Sequence, residues 1–221
     1  MPQDYPTADD LEAYLLTLGI YPSDPPRAEL AALDLPGKAA AAVAEWETRT
    51  GYKPFLANGS DTTRIYDPPG HGRYLELGTG LLSVSALFTG VTAETPGTER
   101  VEGTDFWLEA VEAAYEGGPY EVITFPGGWG GPRRSIAITG RWGYASTVPD
   151  DAWQAILMRG AALCAPQLSL VLGGGAESVR VLSSEVRYPS AAQGGPLASQ
   201  AAGWQSLFDA AVRRYRRVEI S

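Results

Sequence analysis

AITGRWGYASTVPDDAWQAI, residues 137–156, is where two periodicities meet. At its start, Ile136 and Ile138 alternate with small or polar residues, which is the period of two expected of a strand. At its end, Trp153, Ile156 and Leu157 fall at helical spacing. The junction carries its own signals. Pro149 suits a first helical turn, and Asp150 and Asp151 suit the positive end of a helix dipole. Between the two lies Gly140-Arg141-Trp142-Gly143-Tyr144, either a catalytic loop or a seam joining one layer of structure to another.

Working outward from the junction, the helical stripe continues through Gly160 and Cys164 and is expected to stop at Pro166. A Gly/Ser-rich link over 171–196 follows, with room for a short strand pair, and Pro196 opens a last helix. There Leu197, Ala201, Trp204, Phe208, Ala211, Tyr215 and Val218 keep a 4-3-4-3 spacing. Such a seam needs a partner, in the same chain or in another. At the other end, Thr7 reads as a helix cap, with Leu11, Leu15 and Leu18 following it to Gly19. The proline-rich stretch YPSDPPRAEL (21–30) connects to a second helix, from about Pro36 through Ala39, Ala42, Val43 and Trp46 to Gly51.

Upstream of the junction, TRIYD (63–67), RYLEL (73–77), LLSVSALFTG (81–90), YEVITF (120–125) and SIAIT (135–139) are β-rich runs. Pro/Gly turns such as DPPGHG and FPGGWGGP bound them. The stretch 104–116 fits either a strand followed by a loop, which is favoured, or an acidic helical face. The expected fold is therefore α+β: a bundle of about four helices with an inserted antiparallel β-sandwich or barrel. The expected boundaries are 1–57 and 146–221 for the helical domain and 58–145 for the β-domain.

Composition narrows the function. Hydrophobic residues make up 44% and charged residues 19% of the 221, as in a folded globular chain, and no apolar run is long enough to span a bilayer. No membrane association is expected. The acidic opening MPQDYPTADDLEAYLL lacks the basic start of a secretory signal, so the protein is expected to work where it is made. A single cysteine, Cys164, and a single histidine, His71, cannot build the clusters that metal sites normally need, and no metal or cofactor is expected. A net charge of −9 argues against a general nucleic-acid binder. The charge is uneven: Asp4, Asp9, Asp10, Glu12, Asp24, Glu29 and Asp34 crowd the first segment, whereas Arg213, Arg214, Arg216 and Arg217 close the last helix.

Catalytic motifs are missing. The glycine runs LGGGAES and FPGGWGG have neither a P-loop Lys-Ser/Thr nor a dinucleotide-fold setting. There is no G-x-S-x-G elbow, and His71 sits in a turn-like PPGHG. Two rival classes stay open: a carbohydrate-binding β-module using Trp107, Tyr120, Trp129, Trp142 or Tyr144, and a carboxylate-dependent hydrolase, for which no acid pair stands out. For the β-aromatics the plainer reading is core packing. The arginine cluster has three readings: completing the helix dipole, docking an acidic protein surface, or binding phosphate.

Five segments taken in order resemble a known family. They are AAVAEWETRTGYKPF (41–55), the β-run 63–90, TGRWGYASTVPDDAWQAILMRGAAL (139–163), SSEVRYPS (183–190) and the closing RRYRR (213–217). Together, over about 38–217, they resemble the head-tail connector proteins of long-tailed bacteriophages and related gene transfer particles, also called head-completion or adaptor proteins. The resemblance implies a non-enzymatic virion protein of the neck, assembled in the host cytoplasm. It would form a ring, usually a dodecamer, that docks on the portal protein, continues the DNA channel and receives the tail or a tail-terminator or stopper protein. DNA would pass without sequence-specific binding, and an acidic conduit that repels phosphate agrees with that. On this reading Trp204, Phe208, Arg213, Arg214, Tyr215, Arg216 and Arg217 form the portal or subunit interface. Arg141, Trp142, Tyr144 and Pro149 form the domain seam, with Trp142 anchoring the exit from the β-domain against the helices.

Overall fold

A computed structural model describes residues 4–18, 33–70, 72–109, 119–173, 178–181, 184–187 and 196–216, with side chains in 169–198 outside the description. The chain divides into two compact units, one comprising Met1–Asp4 and Gly51–Val148 and the other Tyr5–Thr50 together with Pro149–Ser221.

The second of these is helical. Helix α1 (Ala8–Thr17) starts on a capping box: the Asp10 N–H donates to Thr7 Oγ1 at 3.3 Å, and the Thr7 N–H donates to Asp10 Oδ2 at 2.8 Å. Two of the unpaired donors at the helix start are thereby satisfied. Helix α2 (Leu35–Thr50) starts at Asp34, whose Oδ1 accepts from the Gly37 N–H at 3.3 Å, and stops at Gly51, φ +84°. Helix α3 (Asp150–Gly173) begins where the sequence places it, with the Trp153 N–H donating to the Pro149 carbonyl at 2.8 Å. Helix α4 (Pro196–Tyr215) completes the set. The described core joins all four: Leu11 and Leu15 of α1, Leu35 of α2, Leu157, Ala161, Cys164 and Leu168 of α3, and Trp204 of α4.

Pro166 does not end α3, contrary to expectation; the helix runs through it to Gly173. A proline there removes one backbone hydrogen bond and crowds the preceding turn, at a cost of about 3 kcal/mol. Pro166 lies on the exposed face, whereas Ala165 and Leu168 beside it are buried in the bundle. Packing on both sides of the defect holds the helix together. In the link that follows, β7 (Ser178–Val181) and β8 (Ser184–Arg187) pair antiparallel, the short strand pair expected there.

The other unit is a six-stranded antiparallel sheet made of β1 (Thr62–Tyr66), β2 (Tyr74–Thr89), β3 (Thr98–Arg100), β4 (Trp107–Glu109), β5 (Tyr120–Thr124) and β6 (Ile136–Trp142). The order is β1-β6-β2-β5-β4, with β3 also on β2. RYLEL and LLSVSALFTG, two runs in the sequence, form the single strand β2. Fully straight, its 16 residues would extend about 53 Å, too long for so small a unit. The strand breaks register between Glu76 and Leu81, around Gly78 at φ +67°. It pairs with β5 up to Leu81 and with β6 from Leu81 onward. One sheet therefore supplies both walls of the core, which holds Leu75, Leu77, Leu81, Leu87, Phe106, Ile123, Trp129, Ile136, Ile138 and Trp142. Within 104–116 the strand appears as β4; residues 110–118 lie outside the described residues. No described helix is long and apolar enough to cross a membrane.

Candidate functional site

The seam is built by closing the β-unit on itself. The outgoing Tyr144 and Ala145 N–H groups both donate to the carbonyl of the incoming Phe55, at 2.7 and 3.1 Å, and the Ala57 N–H donates back to Ala145 at 2.8 Å. The Tyr144 and Phe55 rings stack at 4.7 Å with 14° between their planes, and Tyr52 lies 4.9 Å from Tyr144. Gly143 is required by this closure: its N–H bonds the Gly80 carbonyl at 3.0 Å, and a Cβ there would lie 2.6 Å from Ala57 Cα.

Trp142 is fully buried in the core of the β-unit. Its indole N–H donates to the Thr62 carbonyl at 2.8 Å, the Tyr66 ring lies 5.9 Å away, and the Arg64 guanidinium covers its face at 4.5 Å. The anchor it provides is thus to β1. Arg141, half-buried, lies opposite Ser83 of β2, and its Nε is enclosed with no hydrogen-bond partner among the described residues. Pro149 is half-buried and serves as the first acceptor of α3.

In the helical unit the structure assembles a polar network that the sequence reading did not find. Arg49 of α2 bonds Asp209 of α4 at 2.6 Å and approaches Glu45 at 3.4 Å. Arg159 of α3 bonds Glu45 at 2.8 Å and also the Gln205 side-chain oxygen, and the Gln205 amide donates to Asp209 at 2.9 Å. The two guanidinium groups lie 5.3 and 5.9 Å from the Phe208 ring. Three helices are fastened around one buried aromatic. Hydrogen bonding from Arg49 holds the Asp209 carboxyl below its ordinary range, helped by Gln205, and Asp209 in turn raises Arg49. Glu45/Arg49 and Gln205/Asp209 each have i,i+4 spacing, a signal present in the sequence; the contacts across helices are not.

Three of the seven expected interface residues, the aromatic ones, are inside the fold. Trp204 and Phe208 are buried, with Trp204 6.2 Å from Tyr14 and Phe208 5.9 Å from Trp46. Tyr215 is buried 5.6 Å from Trp46. For these three residues the partner of the 4-3-4-3 seam is therefore the same chain. Arg213, Arg214 and Arg216 remain exposed, and Arg217 lies outside the described residues. Asp151 gathers the helix end: it accepts from the Tyr215 hydroxyl at 2.6 Å and pairs with Arg214 at 3.0 Å. An acid placed by the sequence at the start of α3 for its dipole also ties down the end of α4.

The other candidates divide in the same way. Cys164 is buried, and burial pushes its thiol up to about 11, which suits a core residue and not a nucleophile. Trp129 is buried, donating to the Arg73 carbonyl at 2.9 Å, so the two glycine-rich turns are pinned together. Tyr120 is half-buried, while Trp107 stays exposed on the outer face of the sheet. His71 lies outside the described residues. Among the described residues no group of three or more His, Cys, Asp or Glu is placed to hold a metal ion.

No family model and no curated protein match this chain. Among solved structures, the neck of an empty GTA particle, computed with C6 symmetry, is similar at a TM-score of 0.47 and 18% identity, over 87% of this chain and 81% of that chain.

Proposed function

We propose that this chain is a structural protein of a virion neck: a non-enzymatic head-tail adaptor that forms a ring under the portal, continues the DNA channel and presents a surface to the tail. The observation that carries this reading is the fate of the last helix. It buries Trp204, Phe208 and Tyr215 in its own bundle and leaves Arg213, Arg214 and Arg216 exposed. A helix end that satisfies its aromatic seam internally and still presents a basic cluster is suited to docking on an acidic protein surface. The order of the segments that resemble head-tail adaptors supports the same role. So does the net charge of −9, which suits a conduit along which DNA slides.

The test is docking. Changing Arg213, Arg214, Arg216 and Arg217 together to glutamine should abolish attachment to purified portal rings in a pull-down while the far-ultraviolet circular dichroism stays unchanged. Undiminished attachment would return the cluster to a helix-capping role and remove the main support for this reading.

A further inference from the structure

In the described helical unit two large apolar side chains are left in water: Leu16 on α1, 42% exposed, and Leu207 on α4, 54% exposed. Each begins a run of exposed residues. On α1 the run is Leu16, Ala13 and Asp9, stepping back by three and then four residues; on α4 it is Leu207, Ala210 and Arg214, stepping forward by three and then four. These are the spacings of one helical face. Each run covers two turns, about 10.5 Å.

We propose that the exposed face of α4 in one copy of this chain docks antiparallel on the exposed face of α1 in a second copy. Leu207 then meets Leu16, Ala210 meets Ala13, and Arg214 meets Asp9. The alanines in the middle let the helix axes approach closely. The charges match end to end, and the positive start of α1 lies beside the negative end of α4. Arg214 already gives one nitrogen to Asp151 but has a side chain 71% exposed, and a guanidinium carries further donors. Arg213, also exposed, extends the basic side. Both runs are exposed within a single chain, so they do not cover each other there; a second copy supplies the missing surface. Each copy offers one face of each kind, so the contact repeats head to tail and generates a ring when the rotation closes. The inference rests on the adaptor reading for its biological setting and gives that ring a subunit contact.

The experiment mixes two single-site variants of the full chain, Leu16→Cys and Leu207→Cys, under mild oxidation. Cys164 is buried, so the introduced thiols are the reactive ones. The expected result is a disulfide-linked pair of copies in the mixture, well above the yield from either variant alone or from Leu16→Cys mixed with Val101→Cys of the β-unit. Adding Asp9→Arg to the Leu16→Cys chain should lower the yield roughly fivefold, and adding Arg214→Asp to its partner should restore it, which damage to folding would not do. A mixture yielding no 16–207 disulfide above the Val101→Cys control overturns the pairing, as does failure of the charge swap to restore the yield. If copies still associate by mass photometry without that disulfide, the pairing fails and the adaptor reading stands. If the disulfide forms but the protein does not attach to portal rings, the pairing holds and the adaptor reading fails.

Discussion

Asp209 shows how one surface carboxylate can report on the integrity of a helix bundle. Its partner Arg49 comes from another helix, and both side chains are about a third exposed, so solvent screening limits the pair to under about 1 kcal/mol. The sign of its pH dependence is fixed. Because the folded carboxyl lies below its ordinary value of 3.8, the folded chain holds fewer protons there than the unfolded chain in acid. The stabilisation is complete above the unfolded value and is lost as pH falls through the folded one. Asp209→Asn should therefore lower the urea midpoint of the helical unit slightly at pH 7. The difference from the parent chain should begin to shrink below the ordinary value of 3.8 and close only as pH falls through the lower folded value, where the parent loses its own charge. Urea titrations at pH 7 and in steps down to about pH 2 check this, and a difference that stays constant throughout would assign the loss to packing around Phe208 instead.

At the scale of elements, what could be read from the sequence was what is local. Thr7 with Asp10, Pro149 with Asp150 and Asp151, and Gly51 each mark a helix end by interactions within a few residues, and the structure has helix ends at all three sites. Of the stripe expected on α4, Trp204, Phe208 and Tyr215 are buried as the spacing predicts, whereas Val212 is buried beside a half-buried Ala211. Two boundaries were misplaced because distant packing decided them. Gly78 and Gly80 separate the runs RYLEL and LLSVSALFTG in the sequence but lie within one strand, which pairs with both β5 and β6. Pro166 looks like a stop but is carried by the bundle. The network of Arg49, Glu45, Arg159, Gln205 and Asp209 was invisible for the same reason: its cross-helix bonds join residues 46, 114 and 160 positions apart. The carried proline makes a prediction. Pro166→Ala restores a backbone donor on an exposed helical face and removes the clash with the preceding turn, so the helical unit should gain about 1–3 kcal/mol. Chemical denaturation followed by far-ultraviolet circular dichroism measures it, and a destabilised variant would mean that the proline fixes a bend the packing requires.

For the whole molecule the question is whether the β-unit depends on the helices flanking it in sequence. The described residues give each unit its own hydrophobic cluster, one around Leu157, Cys164 and Trp204 and the other around Leu81, Ile138 and Trp142. The chain enters and leaves the β-unit side by side, with Phe55 and Ala57 hydrogen-bonded to Tyr144 and Ala145. A unit whose two ends are joined by its own backbone hydrogen bonds does not need a neighbour to hold them together. Residues 51–148 expressed alone should therefore fold. The fragment should show a β-type circular dichroism spectrum and a single cooperative urea transition, with a slope of about 1 kcal/mol per molar expected for roughly 100 residues. Gly143→Ala in the same fragment tests whether the closure is responsible. The added Cβ would come within 2.6 Å of the Ala57 backbone, and pushing the two segments apart breaks the hydrogen bonds between them, at a cost of about 2–3 kcal/mol. A parent fragment without a cooperative transition would make the helical segments part of the β-unit's fold, and a Gly143→Ala fragment as stable as its parent would move the stabilising role from the seam to the Trp142 core.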